Sequence, residues 1–325
     1  MRTPEFWRRD GLPARALAPA AWVYGAVAAV RRRTARAARP PVPVVCVGNL
    51  VAGGAGKTPV ALALGAKLAA GGHRVHFLSR GYGGRETGPL LVDPARHAAD
   101  AVGDEPLLLA RVAPTWVSAD RAAGAAAAAE GGAGLIVMDD GHQNATVAKA
   151  YSIVVVDGAY GFGNGRLLPA GPLRETVATG LARADAVVTI GPDEAGTGAL
   201  LPSGVRALGG RLVPPPDGAG IAGKAVVAFA GIARPEKFFA SLRTLGCRIE
   251  HARAFADHHR FRASEIAALL ETARKLDAVV VTTAKDAVRL PPAARADVQV
   301  LDIAVAWDDE EAAEALMEEI EERTG

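Results

Sequence analysis

Residues 42–70 constrain this chain more than any other stretch. A β-branched run, 42–47, reads as a buried strand. It breaks into Gly48-Asn49-Leu50-Val51-Ala52-Gly53-Gly54-Ala55-Gly56-Lys57-Thr58-Pro59, and the apolar, alanine-rich 60–70 reads as a helix. Strand, glycine-rich turn, Gly-Lys-Thr and helix is the physical form of a phosphate cradle. Backbone N–H groups and the helix N-terminus face the anion, Lys57 reaches the terminal phosphates, and the Thr58 hydroxyl coordinates Mg²⁺. The eight-residue P-loop spacing fails at its first glycine, where Val51 stands. Gly53, Gly54 and Gly56, with Ala55 among them, still supply the backbone freedom and close approach that a nucleotide needs. The stretch reads as a nucleoside triphosphate site.

A chain of 325 residues can bury a sizeable core and favours two domains over one. Only two cysteines are present, Cys46 and Cys247, too few for a disulfide framework or a metal-binding spacing, and a reducing cytosol fits them. The net charge of +2 hides an asymmetry: residues 1–39 carry nine arginines against Glu5 and Asp10, so the rest of the chain is net acidic.

That basic arm contains an uninterrupted apolar stretch, 17–30, with Trp22 and Tyr24 inside it and arginines on both sides. Fourteen residues are too few to cross a bilayer, which takes about 20. A secretory signal would not be followed by an arginine cluster, and cleavage would leave the nucleotide unit without its cofactor. A helix packed on the protein's own core is one reading. An interfacial helix, with aromatic anchors at headgroup depth and arginines on anionic lipid, is favoured.

Beyond the nucleotide loop, 74–78 reads as a strand leading into Ser79-Arg80-Gly81-Tyr82-Gly83-Gly84, a glycine-held loop suited to facing a ligand. Asp104 and Glu105 stand just before the helical run 107–112. They serve there as cap and first-turn acid, or, near a triphosphate, as Mg²⁺ ligand and proton acceptor. The short strand 135–138 ends in Asp139-Asp140-Gly141-His142-Gln143-Asn144. An acidic pair at a strand end is what a P-loop enzyme needs opposite Thr58, one carboxylate on the metal and the other near the nucleophile. Strands 152–156, ending at Asp157, and 185–190 follow, with a loop through Leu168-Pro169-Ala170-Gly171-Pro172-Leu173-Arg174-Glu175 between them.

Pro214-Pro215-Pro216-Asp217-Gly218 is the clearest linker. After it strands 225–230, 248–254 and 278–282 alternate with helices 235–245 and 263–275, which implies a second parallel sheet. Phe255-Ala256-Asp257-His258-His259 lies between them; in a cleft, Asp257 would orient His258, and His258 would tune a carboxylate base. The end of the chain, 308–323, reads as an amphipathic helix with a solvated acidic face and no chemistry.

Together these stretches resemble one family, the tetraacyldisaccharide 4′-kinases, which are the lipid A 4′-kinases of Gram-negative bacteria. The matching residues are Gly48-Asn49-Leu50, Gly53 to Pro59, Ser79-Arg80-Gly81-Tyr82-Gly83, Gly103-Asp104-Glu105-Pro106, Asp139-Asp140-Gly141, Phe162-Gly163-Asn164-Gly165, Leu168 to Glu175, Phe255 to His259 and Thr282-Thr283-Ala284-Lys285-Asp286. The resemblance implies transfer of the ATP γ-phosphate to the 4′-hydroxyl of a tetraacylated glucosamine disaccharide 1-phosphate, with Mg²⁺. It implies an α/β fold: an N-terminal membrane-surface arm at 1–40, a P-loop NTPase-like parallel-sheet domain at 41–213 and a smaller α/β domain at 214–325 that closes the cleft. Carried over by motif, Asp104 is the base, supported by His258. Glu105, Asp139 and Asp140 join Thr58 as Mg²⁺ or phosphate-side groups. Tyr82, Gln143 and Arg174 contact the disaccharide and its phosphate. Asn144 departs from the family, which commonly has histidine there. A monomer is expected, peripheral to the cytoplasmic face of the inner membrane and without a nucleic-acid partner.

A membrane-associated ATPase of the partitioning type shares the Gly-Gly-x-Gly-Lys-Thr loop but carries a signature lysine where Ala52 stands. A GTPase would want an Asn/Thr-Lys-x-Asp base-reading loop, and Ala284-Lys285-Asp286-Ala287 fails at both ends. A pure scaffold leaves two acidic loops beside a phosphate cradle unexplained.

Overall fold

The β-branched segments of the first two-thirds of the chain pair side by side, and the computed structural model, which describes residues 4–215 and 218–325, shows how. Thirteen strands form among the described residues: β1 (Val44–Gly48), β2 (Val75–Ser79), β3 (Leu90–Leu91), β4 (Thr115–Val117), β5 (Leu135–Asp139), β6 (Tyr151–Asp157), β7 (Ala186–Ile190), β8 (Arg206–Val213), β9 (Ala225–Ala230), β10 (Arg248–Ala254), β11 (Val279–Thr283), β12 (Gln299–Leu301) and β13 (Ala304–Trp307). Nine of them make one sheet in the order β13-β8-β7-β6-β1-β5-β2-β4-β3. Only its two edge strands run antiparallel. The strands β1, β2, β5 and β6 are buried throughout, as strands covered by helices on both faces must be.

Eleven α-helices accompany these strands among the described residues: α1 (Leu12–Ala16), α2 (Ala18–Thr34), α3 (Lys57–Ala70), α4 (Ala99–Val102), α5 (Asp104–Leu109), α6 (Arg121–Glu130), α7 (Val177–Leu181), α8 (Pro235–Thr244), α9 (Ala263–Lys275), α10 (Ala284–Ala287) and α11 (Glu310–Thr324). One face of the large sheet packs against Val60, Leu64 and Leu68 of α3 and against Ala313, Leu316 and Ile320 of α11. The opposite face is covered by Ala125 and Ala128 of α6 and, further along, by Leu181 of α7. Parallel β1, β5 and β6 end together at Gly48, Asp139 and Asp157, so the loops leaving them share one rim, where open α/β sheets bind ligands.

The second sheet, β10-β9-β11-β12, is wholly parallel and sandwiched between α8 on one face and α9 on the other. One expectation about the outline needs correction. Residues 304–325 do not stay with this smaller unit: β13 pairs antiparallel with β8, and Trp307, Leu316 and Ile320 enter the core of the large sheet. Their apolar face found a larger surface to cover there. The small lobe is therefore an insertion within the large one. Of the linker, Pro216 and Asp217 lie outside the described residues.

The arm is packed on the protein along one side only. One side of α2 is held to the protein, with Ala21 buried, and the residues before it are tied by Asp10 to Arg166 and by the Trp7 indole to the Pro169 carbonyl. The other side exposes Trp22, Val23, Val27 and Val30. No described helix is long and apolar enough to cross a membrane.

Candidate active site

At the rim of the large sheet the glycine loop turns into α3 through Gly56, whose φ of 89° is a left-handed conformation that a side chain would strain. Helix α3 then starts at Lys57, presenting its free N–H groups and positive dipole end to the loop. The loop is not free-standing: Ala52 N donates to the Pro172 carbonyl at 2.7 Å, and Arg174 N donates to the Leu50 carbonyl at 2.8 Å. Register explains what faces it. Val47 of β1 lies beside Asp139 of β5, and the Thr58 hydroxyl donates to Asp139 Oδ2 at 3.0 Å.

Asp139 is 1% exposed, and burial together with the charge of Glu105 pushes its carboxyl up to about 7 against the pull of Lys57. Its Oδ1 is buried with no hydrogen-bond partner among the described residues. Asp140 has a left-handed φ of 55°, a strained choice for a residue with a side chain, and it turns the carboxylate to the other side. There Lys57 Nζ stands 3.7 Å from Asp140 Oδ1, and Arg174 Nη1 donates to the same oxygen at 2.8 Å. Burial works to raise Asp140, but Lys57 and Arg174 overcome it and hold the carboxyl below its usual range. Gln143 completes this corner, donating to the Asn49 carbonyl at 2.8 Å and to Glu175 Oε1 at 3.0 Å.

A second cluster forms across the cleft. Gly103 caps α5 at φ 90°, with the Tyr82 carbonyl 2.6 Å from where a Cβ would stand, so the two loops touch backbone to backbone. Asp104 follows, only 7% exposed. His258 reaches it from the small lobe: Nδ1 lies 2.8 Å from Asp104 Oδ2 and, since an ionised carboxylate only accepts, Nδ1 carries the proton. The ring of Tyr82, itself exposed, meets the His258 ring edge-on at 6.4 Å between centroids. Glu105, next to Asp104, links the clusters through its field on Asp139.

The arrangement is a phosphate loop facing two acids, beside a carboxylate whose histidine partner comes from a second lobe. The profile of the family described as tetraacyldisaccharide-1-P 4′-kinase matches residues 13–321. The chain belongs to this family. A tetraacyldisaccharide 4′-kinase of Paramagnetospirillum magneticum is 57% identical over 311 residues, covering 95% of both chains. Another, from Rhodospirillum rubrum, is 54% identical over 329 residues, covering 98% of both. The crystal structure of an LpxK from Aquifex aeolicus in complex with ATP superposes with a TM-score of 0.78 at 26% identity, covering 97% of this chain and 100% of that one. The chain is accordingly a kinase of lipid A synthesis that phosphorylates the 4′-hydroxyl of a tetraacyldisaccharide 1-phosphate from ATP.

In this 4′-kinase the sequence-predicted residues fall into the two clusters: Lys57, Thr58, Asp139, Asp140, Gln143 and Arg174 around the phosphate loop, and Asp104, His258 and Tyr82 across the cleft. Two details differ from expectation, and a third bears on the departure at Asn144. Asp104 and Glu105 do not precede their helix but form its first turn. Asp257 does not orient His258 by hydrogen bonding; its Oδ2 lies 3.8 Å from Nε2, and Asp104 takes the other nitrogen. Asn144 turns into its own loop, accepting from Thr146 N at 3.0 Å.

The 4′-kinase also uses residues that the sequence did not single out. Arg234 of the small lobe pairs with Asp157 and donates to the Gly54 carbonyl in the phosphate loop at 3.2 Å. Buried His142 bridges the Ser152 hydroxyl and the Gly180 carbonyl behind Asp140, and burial lowers it to about 4, so it stays neutral as a support. Arg289 pairs with Asp104 from within the small lobe. It stands three residues after the Thr-Thr-Ala-Lys-Asp motif, the one signal by which it was findable.

For Mg²⁺ the fit is good. Asp139 offers a buried, unpartnered Oδ1 beside the Thr58 hydroxyl, with Glu105 near enough to shift it. No group of three or more carboxylate, histidine or cysteine side chains converges as a metal cage among the described residues. Mg²⁺ does not need one, since it is ordinarily held by one or two carboxylates with waters and substrate phosphates.

Proposed function

We propose that Asp104 is the general base of the phosphoryl transfer, with His258 orienting it, and that Lys57, Thr58 and the Asp139–Asp140 pair manage the charge of the triphosphate. A sugar hydroxyl is a weak nucleophile and loses its proton as the new bond forms. The 4′-oxygen attacks the γ-phosphorus, its proton passes to Asp104, and the bond from the γ-phosphorus to the β–γ bridging oxygen breaks to release ADP. Lys57, on the first turn of α3, steadies the negative charge on the transferring group, with the helix N-terminus behind it. Thr58 and Asp139, with Glu105 or Asp140, would hold Mg²⁺, which when bound neutralises phosphate charge and fixes the phosphates in line. Gln143 and Arg174 are the acceptor-side contacts near that charge, and Tyr82 the contact beside the base.

The acceptor is a membrane lipid that cannot leave the bilayer cheaply, at about 0.8 kcal/mol per buried methylene. The arm answers this: α2 exposes Trp22, Val23, Val27 and Val30, with Arg31, Arg32 and Arg33 in its last turn. We place the enzyme peripherally on the anionic cytoplasmic face of the inner membrane.

One observation carries the base assignment: a nearly buried carboxylate whose histidine partner comes from the other lobe. The test is incubation of purified wild-type and Asp104→Asn enzymes with labelled ATP and the disaccharide 1-phosphate lipid. Loss of roughly 10²- to 10⁴-fold in turnover with ATP binding retained is expected. A near-normal rate removes Asp104 from the role.

A further inference from the structure

Besides His258, one buried charge of the small lobe aims at Asp104 among the described residues. The Arg289 side chain is 3% exposed, and its Nε stands 3.3 Å from Asp104 Oδ2. The rest of the guanidinium is fixed by its own lobe. Nη2 donates to Asp286 Oδ1 at 2.7 Å and to the Gly231 carbonyl at 3.0 Å, Nη1 to the His259 carbonyl at 3.0 Å, and Nε itself to the Lys285 carbonyl at 3.2 Å. Asp286 is in turn fully buried and pinned, accepting from Gly231 N at 3.0 Å and from the Thr283 hydroxyl at 2.6 Å. The Thr-Thr-Ala-Lys-Asp motif at the end of β11 thus builds a socket that holds one arginine rigid.

His258 and Arg289 converge on the same atom. Both contact Asp104 Oδ2, and no hydrogen bond reaches Oδ1 among the described residues. We propose that Arg289 is a positioning residue for the transfer: together with His258 it clamps Asp104 Oδ2 from across the cleft and leaves Oδ1 as the oxygen that takes the acceptor's proton. Both clamping groups belong to the small lobe, so the carboxylate acquires its working orientation only when that lobe is docked. A rigid, pre-aimed base is worth more than a mobile one because the reacting geometry is set before the substrate arrives. This inference rests on Asp104 being the base.

Single and double variants separate the alternatives. In Arg289→Met, which keeps the aliphatic stem and drops the charge, kcat falls roughly 10- to 100-fold, a share of what a positioned base contributes. The KM for ATP and for the lipid stays within about threefold, because Arg289 acts through Asp104 and not on either substrate. In Arg289→Lys, which returns the charge without the fork of donors, kcat lies between Arg289→Met and wild type. The deciding measurement is the double variant Asp104→Asn/Arg289→Met. If the arginine works only through the carboxylate, the pair loses no more than Asp104→Asn alone; a rivet between lobes with no catalytic part gives multiplied losses instead. Multiplied losses, or wild-type kcat in Arg289→Met, overturn the proposal while leaving Asp104→Asn inactive. An active Asp104→Asn enzyme overturns the base assignment itself. Should Arg289→Met not bind ATP, Arg289→Lys takes its place in the same cycle, with the same two readings.

Discussion

Thr58 donates its hydroxyl proton to Asp139 Oδ2 at 3.0 Å, while the second oxygen of that carboxylate lies buried without a partner among the described residues. An orphaned carboxylate oxygen beside a P-loop threonine is a costly feature for a fold to keep unless a cation relieves it.

Asp139→Asn therefore shifts the Mg²⁺ concentration for half-maximal activity upward by at least tenfold, since an amide is a poor partner for a hard cation. Titrating Mg²⁺ into metal-stripped enzyme at saturating ATP and lipid reads this directly. Identical titration curves for variant and wild type would exclude Asp139 as a ligand.

Arg174 donates to Asp140 and reaches Gln143 at 3.4 Å, and its backbone N–H is bonded to Leu50. Its guanidinium is thus held at the edge of the phosphate loop by groups that stay when the side chain is cut. Arg174→Ala raises the KM for the disaccharide lipid about tenfold or more, the scale of one charge-assisted pair, and raises the KM for ATP much less. Steady-state kinetics with each substrate varied in turn checks it. The reverse pattern would assign the side chain to the nucleotide.

On α2, Trp22 is 81% exposed while Ala21 beside it is buried. Single changes on the outward face test membrane contact without loosening the arm. Trp22→Ser lowers partitioning onto phosphatidylglycerol-containing vesicles by roughly tenfold, as loss of one large buried apolar side chain requires. Sedimentation with vesicles measures it, and unchanged partitioning would count against the interfacial role.

His76 in β2 accepts a hydrogen bond from the Trp116 indole at 3.2 Å, so its Nδ1 bears no proton. Burial, and then the charge of Arg74, hold its pKa below the ordinary 6.5. Below pH 6.5 the unfolded chain binds the proton that the folded chain refuses. The stability this gives is fully present above that pH and is lost as pH falls through the lower folded value. Urea unfolding at pH 7.5 and 5.5 shows a drop for wild type and a smaller one for His76→Gln. Equal drops would absolve His76.

The phosphate loop was legible because all its parts are local: a β-branched run, glycines, Gly-Lys-Thr and a helix lie within 30 residues, and no distant contact decides them. The acidic pair was legible for the same reason, as a short apolar strand ending in two aspartates. Asp104 and His258 were each legible as candidates, but their pairing with one another only as a likeness of motifs, since 154 positions separate them and only lobe docking brings them together. Arg289 was findable only by its place three residues after the Thr-Thr-Ala-Lys-Asp motif, because one arginine in an alanine-rich sequence carries no mark of the buried socket around it. Strand β8 escaped because Gly209 and Gly210 interrupt its apolar pattern. Strand β13 is four residues long, and nothing in Ala304–Trp307 says which of two sheets it joins.

That last strand changes what the tail of the polypeptide is for. Because β13 and α11 finish the nucleotide-holding half, cutting the chain after residue 303 would leave β9 to β12 intact and strip an edge strand and four core side chains, Trp307, Ala313, Leu316 and Ile320, from the half that grips ATP. The small lobe is tethered at both its ends to the large one, so any displacement open to it is that of a loop held at two posts and not the swing of a terminal appendage.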